Sequence, residues 1–573
     1  MIQAIAILYW LLFLQNSDSY YVPYLLIGIC SSIALYSNKT KRQVFHRDWE
    51  QIIIIICSSV FSLMICAANY ALFMNLNLPD RAGKIFIALY KAFTIFAVLF
   101  GGFSAFWNLL NCLVEHFKGF YWKKIPNKQG GGIYVLSILL ISTINLFFLF
   151  MCKYPGNITP DSLQSIGQSL SNSYSNKHPF YFTMIVKFFQ VLGLKLTNNI
   201  NISVVLFSVF QVVFMAACFS FIILTLYQMQ ISKKIIVGCL LFYTMMPYHI
   251  MYSFTMWKDV MFGGFVLLYI TATFRILKNV GNYKNIDKIV LLIGGIGTCL
   301  FRSNGWFVFL LTVLCAIVLF GKTRKRMCAL LATILIITFI LKHPILSYLN
   351  VSQPDTIESL SVPAQQIARV VVDHNDLSEE QRELLGKIVN VEAISETYLP
   401  YISDPIKNLV RTSKNQDYLE EHKAAYLKLY FALGLSHLDT YLYAWIDLTK
   451  GFWNGGYAYG IWSGSVREND FGVERIVHSE KIRIALEEYL WLYPNVPVLQ
   501  IFVCIGFFVW LVIGFGILCI LRKDKEGFFV IIPVLSIVLS LMVATPVYAE
   551  FRYAYAVFCC VPFLLFAVFY KSS

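Results

Sequence analysis

The feature that most constrains this sequence is a series of long apolar runs that recur along almost its whole length. They lie near 2–15, 22–37, 51–76, 86–114, 132–153, 203–228, 235–253, 260–275, 289–301, 305–321, 327–345, 497–521, 528–548 and 554–570. A lipid hydrocarbon core about 30 Å thick needs roughly 20 apolar residues per helix, so these runs are candidate membrane spans. Only 14% of the residues are charged, which is too few for a soluble protein. The sequence therefore predicts an α-helical polytopic membrane protein with about 13 to 14 transmembrane helices.

The basic loops between these runs predict the orientation of the chain in the cell membrane. Positive residues are concentrated in cytoplasmic loops, and this accounts for the net charge of +14 without a nucleic-acid partner. If loop 38–47 is cytoplasmic, the basic loops 115–128, 230–234, 275–288, 321–326 and 521–525 fall on the same side. This agreement requires residues 178–196 to form a helix on the outer membrane surface instead of crossing the bilayer. The N-terminus and the C-terminus are then cytoplasmic.

The predicted topology divides the chain into four regions. These are an N-terminal transmembrane extension (1–130), a transmembrane core (131–345) with a first external loop (154–202), an extracytoplasmic domain (346–494) and C-terminal transmembrane helices (495–573). The extracytoplasmic domain has the composition of a soluble protein, and its capped amphipathic segments predict that it is mostly helical.

Several charged or titratable residues fall at the outer ends of the predicted helices: Asp161, His178, Lys258, Asp259, Arg302, Glu550 and Arg552. Charges at membrane depth are costly and mark function by default. A carboxylate beside cations suits a base next to a bound phosphate, because Arg binds phosphate bidentately and Lys binds it as a point charge. Each residue also has a structural explanation. Thr159 and Pro160 predict the capped start of a helix in which Asp161 complements the helix dipole, and snorkelling explains Arg302.

An aromatic run at 444–464 is the second notable feature. Trp453, Tyr457 and Trp462 in this run could serve as platforms on which sugar rings pack. The alternative is an aromatic belt where the external domain meets the bilayer. The sequence contains no GxxxxGK[ST], HExxH or CxxC motif, so nucleotide hydrolysis, zincin chemistry and thiol redox chemistry lack support.

The order of these segments resembles the GT-C class of membrane glycosyltransferases, in particular the protein-mannosyltransferase-like group and its bacterial multi-spanning relatives. The matching pieces are "YPGNITPDSL" (154–163), "KHPF" (177–180), "TMWKDV" (255–260), "FRSNGW" (301–306) and "AEFRYAY" (549–555). The resemblance implies a GT-C-like bundle. It also implies transfer of a sugar from a polyprenyl-phosphate carrier to a glycan, lipid or protein acceptor on the outer face of the membrane.

The resemblance also implies roles for individual residues. The acid of the first external loop, here Asp161, serves in that class as the catalytic base or as the ligand of a divalent cation such as Mg²⁺ or Mn²⁺. His178 matches the His-Pro position that shapes the catalytic site, and the Lys258-Asp259 pair matches a motif near the donor. Arg302 and Arg552, with Glu550 beside them, correspond to groups around the lipid phosphate. Several relatives have an acidic pair where this loop has one acid, so the metal requirement stays open.

Two other functions are compatible with many membrane spans and a large external domain. A polysaccharide polymerase or ligase would rely on external Arg and His residues without an essential acid. A lipid or glycan transporter, such as a flippase, would require ionisable groups near the middle of the bilayer and internal pseudo-symmetry. The charges here lie mainly at helix ends and no repeat is present, which argues against transport.

Overall fold

The computed structural model of the protein describes residues 130–570, apart from 281–284, 322–323, 375, 414 and 497, together with scattered positions between 52 and 68. The N-terminal extension and its predicted membrane spans lie outside the described residues, except for those scattered positions. The described region is dominated by helices, and its only β structure consists of isolated bridges.

The region predicted as the transmembrane core contains α1 (Gly131–Cys152), α2 (Pro160–Ser171), α3 (Phe180–Thr197), α4 (Ile200–Gln228), α5 (Lys233–Met245), α6 (Pro247–Ser253), α7 (Lys258–Leu277), α8 (Asn285–Leu300), α9 (Gly305–Phe320) and α10 (Lys325–Ile340). Helix α10 continues through a π-helical turn (Leu341–Ile345) and a final α-helical turn (Leu346–Tyr348).

The region predicted to be extracytoplasmic, here called the external domain, follows with a 3₁₀ turn (Thr356–Ser359), α11 (Ser361–Asp373), α12 (Glu379–Gly386), α13 (Val391–Thr397), α14 (Asp404–Thr412), α15 (Gln416–Glu421), α16 (Lys423–Ser436), α17 (Leu438–Trp453) and α18 (Glu480–Asn495). The chain ends with a 3₁₀ turn (Leu499–Val503), α19 (Ile505–Leu521), α20 (Lys525–Ala544) and α21 (Phe551–Ala567).

Several of these helices are long and apolar enough to cross a membrane. By length and composition, 6 qualify within the described residues: α1, α3, α4, α7, α10 with its extension, and α20. The pair α5 and α6, bent by 51°, would form a seventh span, and α9, α19 and α21 are shorter apolar helices. The predicted class of helical polytopic membrane protein is confirmed at this level, whereas the number of 13 to 14 spans stays a prediction.

Glycines in "GGIGTC" bring α7 and α8 into close contact, as is common where membrane helices pack. A Cβ added to Gly294 would lie 2.6 Å from the backbone nitrogen of Tyr269, and one added to Gly297 would lie 2.2 Å from the Phe265 ring. Larger residues would force the two helices apart. The start of α7 and the end of α8 are therefore held side by side, which matters for the charged residues that lie there.

The basic loops that follow α7, α9 and α19 meet at one end of the bundle, here called the basic end. Lys278 Nζ lies 2.8 Å from Asp524 Oδ1 and 3.3 Å from Glu526 Oε2, and Arg324 also pairs with Glu526. These contacts join three loops that the positive-inside rule assigns to the same side. The residues predicted to act in catalysis lie at the opposite end, here called the site end.

Helix α3 begins and ends at the site end, as the surface-helix prediction for this segment requires. His178, directly before α3, lies at the site end. In the second half of α3 the Gln190 carbonyl accepts a bond from Ser203 Oγ at 3.1 Å, in the first turn of α4, and a Cβ added to Gly193 would lie 2.5 Å from Ser203 Cα. Helix α4 then continues to the basic end, where Arg275 Nη1 donates to Gln228 Oε1 at 2.6 Å. Helix α3 therefore stays at the site end, although its length and composition would allow it to span.

The external domain has an apolar core of its own, built from α11 to α17. The second half of α17 packs on the bundle, where Trp445 Nε1 donates to the Met542 carbonyl at 2.8 Å near the end of α20. After α17 the chain runs without helix through residues 454–479 and crosses the site end. Its backbone forms isolated bridges from Val466 to Ile158 and from Ile476 to Tyr154.

Candidate functional site

The first turn of α2 fixes the position of Asp161. Thr159 and Ser162 form a capping box, with the Thr159 N–H donating to Ser162 Oγ at 3.0 Å, and Pro160 occupies the first turn of the helix. Trp257 Nε1, at the start of α7, donates to Thr159 Oγ1 at 2.8 Å. The cap predicted from the sequence is present, and it holds the Asp161 side chain beside the beginning of α7.

The loop before α2 is joined to the chain before α7 by backbone and side-chain bonds. Asn157 N–H donates to the Phe254 carbonyl at 2.9 Å, and Asn157 Nδ2 donates to Thr255 Oγ1 at 3.0 Å. Gly464, with φ +72°, lies against the Asn157 amide, where an added Cβ would be 2.3 Å from Oδ1. The buried Asn157 side chain therefore links three segments that are distant in sequence.

Asp161 forms an ion pair with Arg552 in the first turn of α21. Arg552 Nη1 donates to Asp161 Oδ2 at 2.8 Å, and Arg552 Nε lies 3.9 Å from Glu550 Oε1. Glu550 also accepts a hydrogen bond from the Tyr459 hydroxyl at 3.2 Å, and the Arg552 guanidinium lies over the Trp257 ring at 5.1 Å. A cation in the first turn of a helix opposes the helix dipole, so Arg552 is not explained as a helix cap.

Lys258 and His178 form the second contact of the cluster. Lys258 Nζ lies 3.4 Å from His178 Nδ1. Burial, followed by the nearby charge of Lys258, lowers the pKa of His178 to about 3, so the ring is neutral and accepts at Nδ1. Among the described residues no carboxylate lies within ion-pair distance of the Lys258 ammonium. Lys258 is therefore a cation of the site end that is not neutralised by direct pairing.

Asp259 and Arg302 form a third contact across α7 and α8. Arg302 Nη1 lies 3.0 Å from Asp259 Oδ1, but no N–H of the described residues is directed at either oxygen of this buried carboxylate. Arg302 also donates to the Tyr553 carbonyl at 3.4 Å and lies over the Tyr553 ring at 4.8 Å. Asp259 therefore balances the nearby positive charge and is too enclosed to meet a ligand.

The environment shifts the pKa values of the two partly exposed acids in opposite directions. Burial raises the pKa of Asp161, but the charges of Arg552 and then Lys258 outweigh it and hold the pKa below its ordinary value. Burial also raises the pKa of Glu550, and Arg552 opposes this effect only in part. Asp161 is thus an ionised carboxylate at neutral pH, with its side chain 31% exposed. It can accept a proton from a ligand that reaches the site.

The predicted sugar platforms are not all brought to this cluster. Trp462 stacks on Trp257 with ring centroids 5.7 Å apart, and its side chain is 40% exposed. The Tyr457 hydroxyl bonds to that of Tyr548, which lies two residues before Glu550. Trp453 is different, because its ring is 2% exposed and its Nε1 donates to Thr449 within the core. The prediction that Trp453 is a sugar platform is therefore corrected, because its ring packs in the core and offers no face to a ligand.

The donor set of the cluster does not fit a divalent cation. Within the described residues no group of three His, Cys, Asp or Glu side chains could hold a metal ion. Asp161 is flanked by Arg552 and Lys258, and Asp259 is paired with Arg302. A cation placed at Asp161 would face these positive groups, so the arrangement suits an anion better than Mg²⁺ or Mn²⁺.

Sequence reasoning missed the side chains that hold the cluster together. Trp257, Tyr459 and Tyr553 contact its charged residues, and buried Lys153 donates to the Gly464 carbonyl at 3.3 Å and to that of Ser463. Burial lowers the pKa of Lys153 to about 8. Trp257 and Tyr553 could have been noticed as neighbours of charged residues in sequence. The contacts of Lys153 and Tyr459 depend on the path of residues 454–479, which no local pattern predicts.

Comparison with known proteins assigns the chain to a family. The model of a family of unknown function (DUF6020) matches residues 169–573, which include the charged residues of the cluster except Asp161. No curated protein and no solved structure matches the chain. Because the match covers more than half of the chain, this protein belongs to the DUF6020 family.

Proposed function

We propose that this protein is an integral membrane glycosyltransferase that moves a sugar from a polyprenyl-phosphate carrier to an acceptor hydroxyl. The observation that carries this proposal is the contact of Asp161 with Arg552, close to the unpaired ammonium of Lys258. Such a transfer needs a base for the acceptor and positive charge for the departing phosphate. The cluster provides both within one site at one end of the bundle.

The phosphate would bind to the donors that the cluster leaves unused. Lys258 has no carboxylate at ion-pair distance among the described residues, and Arg552 Nε is buried without a hydrogen-bond acceptor in the same part of the chain. A guanidinium and an ammonium together favour a phosphate, the first through directed N–H groups and the second as a point charge. The position of both groups at the ends of membrane helices would let a lipid carrier enter from the bilayer.

In the proposed reaction Asp161 accepts the proton of the acceptor hydroxyl. The acceptor oxygen then forms a bond to the anomeric carbon of the sugar, and the bond from that carbon to the phosphate oxygen breaks. The electron pair leaves with the polyprenyl phosphate, whose added negative charge Lys258 and Arg552 stabilise. The exposed Trp462 ring beside the cluster would support the sugar.

The assay that tests this function measures the release of polyprenyl phosphate from a panel of polyprenyl-phosphate hexoses by the full-length protein in proteoliposomes. Asp161→Asn should abolish transfer while the protein inserts and folds, because the amide cannot accept the proton. Asp439→Asn, a change at an exposed acid of the external domain, is the matched control and should leave transfer unchanged.

Transfer that survives in Asp161→Asn would exclude Asp161 as the base. A polysaccharide polymerase or ligase would then become the better assignment, because such an enzyme relies on Arg and His without an essential acid. A transporter would translocate the lipid-linked sugar without cleaving it. The same proteoliposomes detect that outcome as movement of intact donor between the two leaflets.

A further inference from the structure

An apolar cavity of about 330 Å³ lies inside the external domain, away from the charged cluster. Its walls are side chains of α11, α12, α14 and α16, represented by Ile367, Leu385, Val410 and Tyr426. Ligand pockets of roughly 300–1,000 Å³ with mostly apolar walls are the usual size for small organic molecules. The volume and walls of this cavity fall within that class.

The polar atoms of the aromatic wall residues are already engaged elsewhere. The Tyr426 hydroxyl donates to the Leu384 carbonyl at 2.8 Å, and the Tyr430 hydroxyl donates to Gln366 Oε1 at 2.7 Å. The two rings therefore present carbon to the cavity. A cavity without free polar partners holds water poorly and favours a hydrocarbon ligand.

The mouth of the cavity lies along α16. Leu427 lines the cavity, yet it is 57% exposed, so this wall also forms part of the protein surface. Lys423, one turn earlier on the same helix, is an exposed cation and also lines the cavity. A ligand with a hydrocarbon chain could enter past Leu427 and place an anionic group near Lys423.

A stripe of exposed apolar side chains continues from this mouth along the surface. It consists of Leu427, Phe431, Leu435, Leu438 and Leu442, each more than half exposed. The first three recur every four residues, so they lie on one face of α16. An exposed apolar surface of this kind on a membrane protein indicates contact with lipid or with an apolar surface of another protein.

The packing of α17 favours contact with lipid. Trp445, one turn beyond Leu442, donates to the Met542 carbonyl near the end of α20, at the site end of the bundle. Leu539 and Val543 on the same part of α20 are 56% and 62% exposed, as expected for a surface that faces lipid. The stripe that starts at the cavity mouth therefore ends, at Leu442, next to the exposed apolar surface of α20.

We infer that the external domain binds an anionic phospholipid of the adjoining leaflet, with one acyl chain in the cavity and the phosphate near Lys423. At about 30 Å³ for each water-sized or methylene-sized group, the cavity holds roughly 11 groups. This suits part of an acyl chain, and the cavity lies in the external domain away from the charged cluster, so the site differs from that of the proposed sugar donor. The inference does not depend on the proposed glycosyltransferase activity.

The test uses the full-length protein in nanodiscs of phosphatidylcholine and phosphatidylglycerol, with a small fraction of phosphatidylglycerol that carries a diazirine on one acyl chain. After irradiation, mass spectrometry of peptides locates the crosslinks. We expect crosslinks at Ile367, Leu385 and Tyr426 in the cavity, and at Phe339, an exposed residue of α10 that reports contact with bulk lipid. Crosslinks at Phe339 without any in the cavity would overturn the inference.

Two substitutions of alanine by tryptophan make the comparison quantitative. Ala364→Trp places a large ring in the cavity and should lower the cavity crosslinks at least fivefold, with those at Phe339 unchanged. Ala432→Trp, at an exposed position of α16 that does not line the cavity, should change neither. If Ala364→Trp does not insert, Leu427→Arg at the mouth serves the same purpose. If Ala364→Trp folds and the residues that line the cavity are still labelled as strongly as in the unmodified protein, the inference is contradicted.

The role of Lys423 is tested with a second probe. Diazirine-labelled phosphatidylcholine should label the cavity several-fold less than the phosphatidylglycerol probe, because its head group is neutral overall. Lys423→Gln should remove that preference and leave the Phe339 crosslinks in place. Equal labelling by the two probes in the unmodified protein would refute the anionic head-group assignment.

Discussion

Replacing Arg552 by Gln is the sharpest test of the charged cluster. The guanidinium donates to Asp161 Oδ2 at 2.8 Å and lies near Glu550, and in the proposed reaction it also binds the phosphate. The change should therefore have two effects that can be measured separately. One is a slower reaction, and the other is a shift in its pH dependence.

The expected size of the rate effect follows from the role of Arg552 as a preorganised donor. Removing one donor from a developing anion lowers the rate by about 10²–10³, equivalent to about 2.7–4 kcal/mol of transition-state stabilisation. We expect kcat/KM for the polyprenyl-phosphate sugar to fall by an amount in this range. Lys258 remains in the variant and should preserve a measurable rate.

The pH effect follows from the pKa of Asp161. Arg552 holds the pKa of Asp161 below its ordinary value, and the two side chains are only 31% and 18% exposed, so solvent screens their interaction only in part. Asp161 must be ionised to act as base, so activity is lost as pH falls through its pKa. Without Arg552, burial raises that pKa, and only Lys258 and then His178 remain to lower it. The acidic limb of the pH profile should therefore move to higher pH.

The matched control is Arg302→Gln. Arg302 pairs with Asp259 and makes no direct contact with Asp161, so its replacement should leave the acidic limb in place even if the rate falls. The assay is the pH dependence of kcat/KM in proteoliposomes, from pH 8 down to below about 3.9, the ordinary pKa of an aspartate, because the pKa of Asp161 lies under that value. An acidic limb that is identical in the unmodified protein and in Arg552→Gln would refute the assignment of Asp161 as the base.

Two further predictions concern neighbouring parts of the site. Gly464→Ala should lower the free energy of unfolding by about 1–3 kcal/mol, since φ is +72° and the new Cβ would be 2.3 Å from the Asn157 amide. A thermal unfolding curve in detergent should shift downward by several degrees, whereas Gly460→Ala, where the added Cβ meets no atom within 4 Å, should not change it. His178 should remain neutral from pH 5 to 8, because burial and then Lys258 lower its pKa to about 3. A His178 ring signal in NMR that titrates near pH 6.5 would contradict this.

The sequence was sufficient to predict the class of the protein because membrane insertion depends on local composition. Apolar runs of the right length predicted α1, α4, α7 and α20, and the basic loops predicted which helix ends lie together at the basic end. The helix cap before Asp161 was also predicted, since Thr159 and Pro160 form a local pattern, whereas the partner role of Ser162 in the capping box was not. Each of these features depends on residues that are close in sequence.

The partners of the charged residues could not be predicted in this way. Asp161 and Arg552 are 391 positions apart. Hydrophobic periodicity predicts which face of a helix is buried, but it does not predict which other helix packs against that face. Trp453 and Trp462 belong to the same aromatic run, and no local pattern in the sequence distinguishes the buried ring from the exposed one. The tertiary structure separates them, because α17 carries Trp453 into the core and the following segment returns Trp462 to the site.

The sequence by itself therefore determined that this is a helical membrane protein, and it predicted that the charged residues next to the apolar runs lie at the helix ends opposite the basic loops. Only the tertiary structure decided that Asp161 faces Arg552, that Lys258 contacts neutral His178 and that Asp259 is enclosed with Arg302. The physical reason is that local composition sets the free energy of placing each segment in the membrane. The pairing of charges depends instead on which helices pack together, and this is decided by close contacts such as those of Gly294 and Gly297 with α7.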